Sequence, residues 1–265
     1  MNRQENQPQK VYILGSPVDV LDMSSALAKV ENLVEKGGNH QVVTANPEIL
    51  YSALQDSELN QIIEQASLVT ADGIGVVWAA SRVGTPVPER VTGIDLMSNI
   101  LARAAQKGWP CFFLGGAPEK AASGTQPTIP SVAEEAAVRL KRLYPGLQVV
   151  GTAHGYFNEL QQAELDMQIA AAKPRLLFVG LGAPRQEKWI KMYLQRTPLP
   201  DLLAMGIGGS MDVFAGTVQR APAWCQQLHI EWLYRLLTQP SRIKRQLNLP
   251  IFAWQVLRQS NRGGK

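Results

Sequence analysis

The chain predicts an α/β fold, with parallel sheet built from βα units and covered by helices, followed by a basic α-helical appendage. Three observations carry this. Short apolar runs end in glycine-bearing loops that open into segments of helical period, the rhythm of βαβ units. The runs themselves, such as Cys111-Phe-Phe-Leu114 and Leu202-Leu-Ala-Met205, lack polar alternation, as strands buried on both faces do. After Gly216 the rhythm stops. Residues 216–265 hold eight Lys/Arg against Glu231 alone, a charge of +7, which leaves −3 on the first 215 residues of a chain whose net charge is +4. We therefore expect a body over 1–215 and an appendage over 216–265.

In chain order, Val11-Tyr-Ile-Leu14 reads as a strand ending in Gly15-Ser-Pro17. A helix from Asp22 to Lys36 follows, with Leu27, Val30 and Val34 on one face and Gly37-Gly38 as its stop. Gln41-Val-Val-Thr44 is the next strand, and Asn46-Pro47 starts a helix with proline at its first position. A short helix covers about Ser57 to Ala66, then the strand from Leu68 turns at Asp72-Gly73 into a helix ending near Val83. Thr85–Arg90 is a loop, and Gly93-Ile-Asp95 leads into a helix to Lys107. Cys111–Leu114 is a strand, the polar stretch Ser123–Ser131 an insert, and the helix after it ends near Tyr144. Gln148–Val150, Arg175–Val179 and Leu202–Met205 are further strands, followed by helices over 160–172 and to about Arg196. In the appendage, one helix starts at Arg220-Ala-Pro222 and breaks at Pro240; a basic helix runs to Leu249, and Pro250 introduces a last apolar segment.

The bulk properties narrow the function classes. A content of 45% hydrophobic and 18% charged residues is that of an ordinary globular protein with a real core. Two cysteines, one inside an apolar run, make no disulfide framework, so a reducing compartment is expected. The polar N-terminus has no apolar signal region, and no stretch reaches the roughly 20 apolar residues of a spanning helix. The expected location is the cytoplasm.

Asp72 is the acid most suited to catalysis, because it stands where a strand ends and a helix begins, the place where open α/β sheets bind ligands. The plain alternative is a helix cap with Gly73 easing the turn, and by itself that reading is the stronger. Gly115-Gly116, Gly180-x-Gly182 and Gly206-x-Gly208-Gly209 could offer backbone N–H groups to a diphosphate. None is a dinucleotide fingerprint, since Arg185 stands where the third glycine would be, and no P-loop is present. His40, His154 and His229 have no ligand spacing, there is no Asp-x-Asp, and nothing resembles a covalent nucleophile, so no metal or cofactor is expected. Thr44 and Asn46 read as turn chemistry or as site residues, and Arg90 as a surface charge or an anion contact. Glu187 fits a helix start, whereas Gln186 is less explained by one.

Taken together, six segments resemble the WecG/TagA/CpsF family of bacterial glycosyltransferases. They are Thr44-Ala-Asn-Pro-Glu48, Ala71-Asp-Gly-Ile-Gly75, Pro88-Glu-Arg-Val-Thr-Gly93, Gly180-Leu-Gly-Ala-Pro-Arg-Gln-Glu187, Gly206-Ile-Gly-Gly209 with Asp212, and Arg220-Ala-Pro222 with Glu231-Trp-Leu-Tyr-Arg235. They run in order from near residue 11 to about 246; the insert over Ser123–Ser131 is the departure. The resemblance implies an inverting, metal-independent transfer of an N-acetylmannosamine-type sugar from a UDP donor to a polyprenyl-diphosphate-linked sugar, in the synthesis of teichoic acid or another surface polysaccharide. It implies Asp72 as general base with Thr44 beside it, and Asn46, Arg90, Gln186, Gly182, Gly208 and Asp212 at the substrates. It further implies an appendage that covers the site of the 1–215 catalytic domain and touches an anionic membrane, with Arg235, Arg242 and Arg245 meeting diphosphate. The location becomes peripheral, at the inner face of the plasma membrane. The sequence leaves the donor sugar and the oligomeric state open, a homo-oligomer included.

Two other classes compete. A nucleic-acid-binding module would use the basic, tryptophan-bearing tail on phosphates, but the acidic body and missing recognition signatures oppose it. An NAD(P)-linked enzyme is opposed by the incomplete glycine fingerprint.

Overall fold

The computed structural model describes residues 9–118, 130–228, 230–238 and 248–263. Its main sheet contains β3 (Asn39–Ala45), β4 (Leu68–Ala71), β5 (Cys111–Gly115), β6 (Val149–Ala153), β7 (Leu176–Gly180) and β8 (Leu202–Gly206), in the order β4-β3-β8-β7-β5-β6. The pairings β3 with β8, β8 with β7, β7 with β5 and β5 with β6 are parallel, in accord with the predicted fold class. Every residue of β4, β5 and β8 is buried, which is why their sequences show no polar alternation.

The helices are α1 (Met23–Lys36), α2 (Pro47–Gln55), α3 (Ser57–Gln65), α4 (Ile74–Arg82), α5 (Gly93–Lys107), α6 (Val132–Leu143), α7 (Glu159–Ala172), α8 (Arg185–Arg196), α9 (Ser210–Ala215), α10 (Ala223–Gln227), α11 (Glu231–Thr238) and α12 (Asn248–Gly263). Their starts are chemically marked. Asn46 caps α2 ahead of Pro47, Asp56 caps α3, and Ser131/Glu134 and Asn158/Gln161 form capping boxes on α6 and α7.

The chain forms two compact units. The first draws on residues up to Ala26, on 44–92 and on those after Arg220; the second on 27–43 and 93–220. In the first, β1 (Lys10–Ile13) does not join the main sheet. It pairs antiparallel with β2 (Ser16–Asp19), a strand that sequence reasoning took for the loop ending β1. Leu14 and Gly15, both at positive φ, make the two-residue turn that such a hairpin needs. The carboxylate of Asp19, buried at the end of β2, accepts from the Val69 N–H at 2.8 Å.

The C-terminal helices also depart from expectation. The single helix foreseen from Arg220-Ala-Pro222 to Pro240 is split into α10 and α11, because the Ile230 N–H turns back to Cys225 O and closes the first piece. The basic helix foreseen before Leu249 falls largely on 239–247, outside the described residues. Pro250 lies in the first turn of α12 rather than ahead of it, where its missing N–H costs no helical bond. Helix α12 buries Phe252 and Val256, each worth about 1.5–3 kcal/mol of apolar burial. Gln259 on α12 accepts from the Leu14 N–H and donates to Tyr12 O, which clasps the hairpin.

In the second unit a core of Phe112, Leu114, Ile169, Leu177, Val179 and Ile190 joins β5 and β7 to α7 and α8. Phe113 stacks on Phe178 at 5.4 Å, and Trp189 on Tyr193 at 5.1 Å. Cys111 is buried in the same sheet, and burial pushes its thiol up to about 12, so it stays an unreactive core residue.

Candidate active site

In the first unit, four of the six segments singled out from sequence meet. Thr44 and Asn46 lie at the carboxyl end of β3, and Asp72 follows the carboxyl end of β4; all three are half-buried. The Asp72 N–H donates to Ala45 O at 2.8 Å, and the Val91 N–H to Ala71 O at 3.0 Å, so the loop carrying Arg90 is tied to the strand that ends just before Asp72. Pro47 and Gly75 explain a further part of the pattern: a Cβ on Gly75 would sit 2.7 Å from Pro47 Cγ. Only glycine lets α4 come this close to the start of α2.

Asp72 is not a helix cap. The N-cap position of α4 is held by Gly73, with φ 112°, and not by Asp72. At that φ the chain enters the helix through a conformation that glycine adopts and other residues avoid, which sets Asp72 one residue too early to cap. Asp72 is thus not the N-cap residue, and its carboxylate stands at a strand end beside a helix N-terminus. Asn46 does cap α2: its Oδ1 accepts from the Ile49 N–H at 3.0 Å. Arg90 is not a surface charge. Its guanidinium pairs with Glu231 Oε2 at 3.0 Å, with both side chains largely buried (15% and 12% exposed). Glu231 opens α11, so this pair ties the loop to the C-terminal helices. Sequence reasoning missed it, though Glu231 being the tail's sole acid was a signal.

The second unit gathers the other two glycine-rich segments. Gln186 and Glu187 lie in the first turn of α8, both buried. Gln186 Oε1 accepts from the Gly208 N–H at 3.0 Å, and Gln186 Nε2 donates to Glu187 Oε1 at 2.8 Å. The Ile207 N–H donates to Val179 O at 2.9 Å, which seats the second loop against the end of β7. Gly182 (φ 78°) and Gly208 (φ 49°) turn their loops, each with open space where a Cβ would stand. Asp212 lies in α9, and its backbone carbonyl accepts from the Thr217 and Val218 N–H groups. Arg220, in the sixth segment, pairs with Asp95 at 2.8 Å and so braces the start of α5.

Glu187 is the residue that sequence reasoning undervalued. It is 2% exposed, and burial pushes its carboxyl up to about 7, with the Gln186 amide and its own backbone N–H opposing the rise. Its Oε2 is buried without a protein partner.

Of the three arginines assigned to diphosphate, Arg235 lies on α11, whereas Arg242 and Arg245 lie outside the described residues. The C-terminal helices of the first unit expose large apolar side chains: Trp224, Leu228, Trp232, Ile251, Trp254 and Leu257. Arg258 lies over the Trp254 ring at 5.2 Å. Among the described residues no helix is long and apolar enough to cross a membrane.

The described histidines have local jobs: His40 Nε2 meets Gly37 O at 2.9 Å, and His154 Nδ1 accepts from the Tyr156 N–H at 3.2 Å. His229 lies outside the described residues. A groove of about 330 Å³, lined by Thr152, His154, Phe157, Gln161 and Glu164 beside the edge strand β6, contains none of the candidate catalytic or substrate-binding residues.

Comparison with known proteins adds an independent line. The family model described as "Glycosyl transferase WecG/TagA/CpsF family" matches residues 11–265. The chain is 38% identical over 224 residues to an N-acetylglucosaminyldiphosphoundecaprenol N-acetyl-beta-D-mannosaminyltransferase of Bacillus spizizenii, covering 84% of this chain and 81% of that one. It is 36% identical over 252 residues to a protein of the same name from Staphylococcus aureus, covering 93% and 92%. With a match across nearly its whole length and the family's six segments gathered within its two units, the chain belongs to the WecG/TagA/CpsF family of glycosyltransferases.

Proposed function

We propose that the chain transfers an N-acetylmannosamine-type sugar from a UDP donor to a polyprenyl-diphosphate-linked N-acetylglucosamine, with inversion and without a metal ion. The relatives' names support the acceptor and the sugar. The observation that carries the site reading is the position of Asp72. It follows β4 directly, stands one residue ahead of the N-cap Gly73, and is hydrogen-bonded through its backbone to the segment that holds Thr44 and Asn46.

In this reading the acceptor hydroxyl oxygen attacks C1 of the donor sugar while Asp72 takes its proton. The C1–O bond to the diphosphate breaks, and its electron pair leaves with UDP. Thr44 stands beside the base, and Asn46, Arg90, Gln186, Gly182, Gly208 and Asp212 hold the substrates. Arg235, Arg242 and Arg245 meet the diphosphate charge, a role for which the planar guanidinium is suited. The largely buried Glu231 fixes Arg90 in place for such a contact. The test is UDP release from UDP-N-acetylmannosamine in the presence of the lipid-linked acceptor, with and without EDTA. Acceptor-dependent release that EDTA leaves unchanged is expected. Loss of turnover on chelation would sink the metal-independent mechanism, and no release from any UDP-sugar in a panel would sink the activity itself.

We place the protein at the membrane surface, where its acceptor is anchored. Trp224, Trp232 and Trp254 suit the headgroup level, and the tail's +7 charge suits an anionic surface. Because α12 buries Phe252 and Val256, substitution tests this better than truncation does. Replacing the three exposed tryptophans by alanine is expected to lower partition onto anionic vesicles by roughly tenfold, with folding intact. Unchanged sedimentation with vesicles would refute the role.

A further inference from the structure

We propose that Glu187 is a positioning residue for the sugar-donor site: its buried carboxyl group fixes the Gln186 carboxamide, which in turn holds the Gly206-Ile-Gly-Gly209 loop in one conformation. The proposal deepens the reading above and rests on it in taking Gln186 and Gly208 to be at the donor.

A glutamine amide has one accepting and one donating end, and little distinguishes its two orientations unless neighbours do. Here both ends are specified. Gly208 presents an N–H, so the amide oxygen must face it, at 3.0 Å. Glu187 Oε1 presents an acceptor, so the amide nitrogen must face it, at 2.8 Å. Without that acceptor the Gln186 Nε2 would be a buried donor with nothing to meet, which costs about 1–3 kcal/mol and favours a rearranged side chain. The pair also fits a space kept open for it. A Cβ on Gly206 would lie 2.6 Å from Gln186 Nε2 and 2.9 Å from Glu187 Oε1, so the end of β8 must be glycine for both to stand there. The turn that carries them is anchored from the sheet side, where buried Gln41 donates to the Glu187 carbonyl at 3.1 Å. The Ile207 N–H already seats the start of the loop on Val179 O, and the Gln186 bond adds the tie at Gly208. Gly208 is in the left-handed region, where glycine is free to move to other conformations, and its own Cβ position is open.

A glutamate in the first turn of a helix is ordinary when solvated, where it needs only the helix dipole. This one is buried with Oε2 unpaired, an arrangement that costs stability. Such local costs concentrate where structure must hold a site in one geometry. Holding the loop matters to binding more than to bond breaking, because the backbone N–H groups of a preordered glycine turn meet a diphosphate without an ordering cost.

The test uses the full chain with Glu187→Leu, Glu187→Gln and Gln186→Ala. In Glu187→Leu, amide hydrogen exchange at Gly208 without substrate is expected to speed by about tenfold. The KM for the UDP-sugar should rise about tenfold while kcat moves far less. Glu187→Gln, which keeps an accepting oxygen, should restore most of both. Gln186→Ala removes the Gly208 acceptor itself and must raise Gly208 exchange at least as much, so the idea stays testable if the leucine variant folds poorly. In the double variant Glu187→Leu/Gln186→Ala the two effects should not add. Unchanged Gly208 exchange in both single variants would overturn the proposal. Because exchange is measured without substrate, a failure to find UDP-sugar turnover would count against the function proposed above and leave this result standing.

Discussion

Asp72→Asn is expected to lower kcat by about 10²–10⁴-fold, the usual contribution of a positioned general base, while leaving the protein folded. The substitution keeps the size and shape of the side chain and removes its ability to accept the acceptor's proton. Its structural effect should be small for a specific reason. The N-cap position of α4 is Gly73, not Asp72, and the bond that fixes residue 72 to β3 runs from its backbone N–H to Ala45 O. Had Asp72 been the cap, the same change would have confounded catalysis with helix stability. The readout is UDP release under saturating donor and acceptor, with Tm measured alongside. A near-normal kcat would remove Asp72 from the role of base. A raised KM with kcat preserved would make it a substrate-binding residue instead, because only interactions specific to the transition state move kcat.

The fold was readable because its strands are short, apolar and closed by glycine, and its helices start at marked caps. Asn46-Pro47, Ser131 with Glu134 and the Gly37-Gly38 stop are all where the chain's chemistry put them. What escaped was nonlocal. Ser16-Pro-Val-Asp19 has no apolar alternation, and it is a strand because β1 folds back on it through a two-residue turn at Leu14-Gly15. The break between α10 and α11 has no glycine or proline to announce it; a single carbonyl, Cys225 O, recaptures the Ile230 N–H. At the site, the segments were legible as a set, but their pairing was not. That Gly75 exists for Pro47, Gly206 for Gln186 and Glu231 for Arg90 is information about distance, which spacing along the chain does not carry. Glu187 is the sharpest case. In sequence it is an acid in the first turn of a helix, and that description is correct. Only burial shows that it is also a carboxyl group held away from water against an amide.

That burial has a consequence for stability that can be measured directly. Removal from water holds the Glu187 carboxyl above its ordinary 4.5, at about 7. In the unfolded chain the proton is lost near the ordinary value, whereas the folded chain keeps it until about pH 7. Between those two values the native state binds more protons than the unfolded state, so stability must fall as pH rises. The contribution of the neutral carboxyl is complete below about pH 4.5 and lost once pH passes about 7. A difference of about 2.5 units at about 1.4 kcal/mol each amounts to about 3 kcal/mol, a large share of the 5–15 kcal/mol that holds a typical domain folded. Glu187→Gln keeps the hydrogen bond to Gln186 but has no proton to lose. Urea unfolding of both chains at pH 4.5 and pH 8 isolates the effect, because every other titrating group is common to the two. The variant should gain about 3 kcal/mol on the wild type between those pH values. An unchanged difference would mean that the Glu187 carboxyl ionises as freely in the folded chain as in the unfolded one, and that the first turn of α8 opens to water. In that event the Gln186 amide would be solvated as well, and Gly208 would lose the fixed acceptor on which the order of its loop depends.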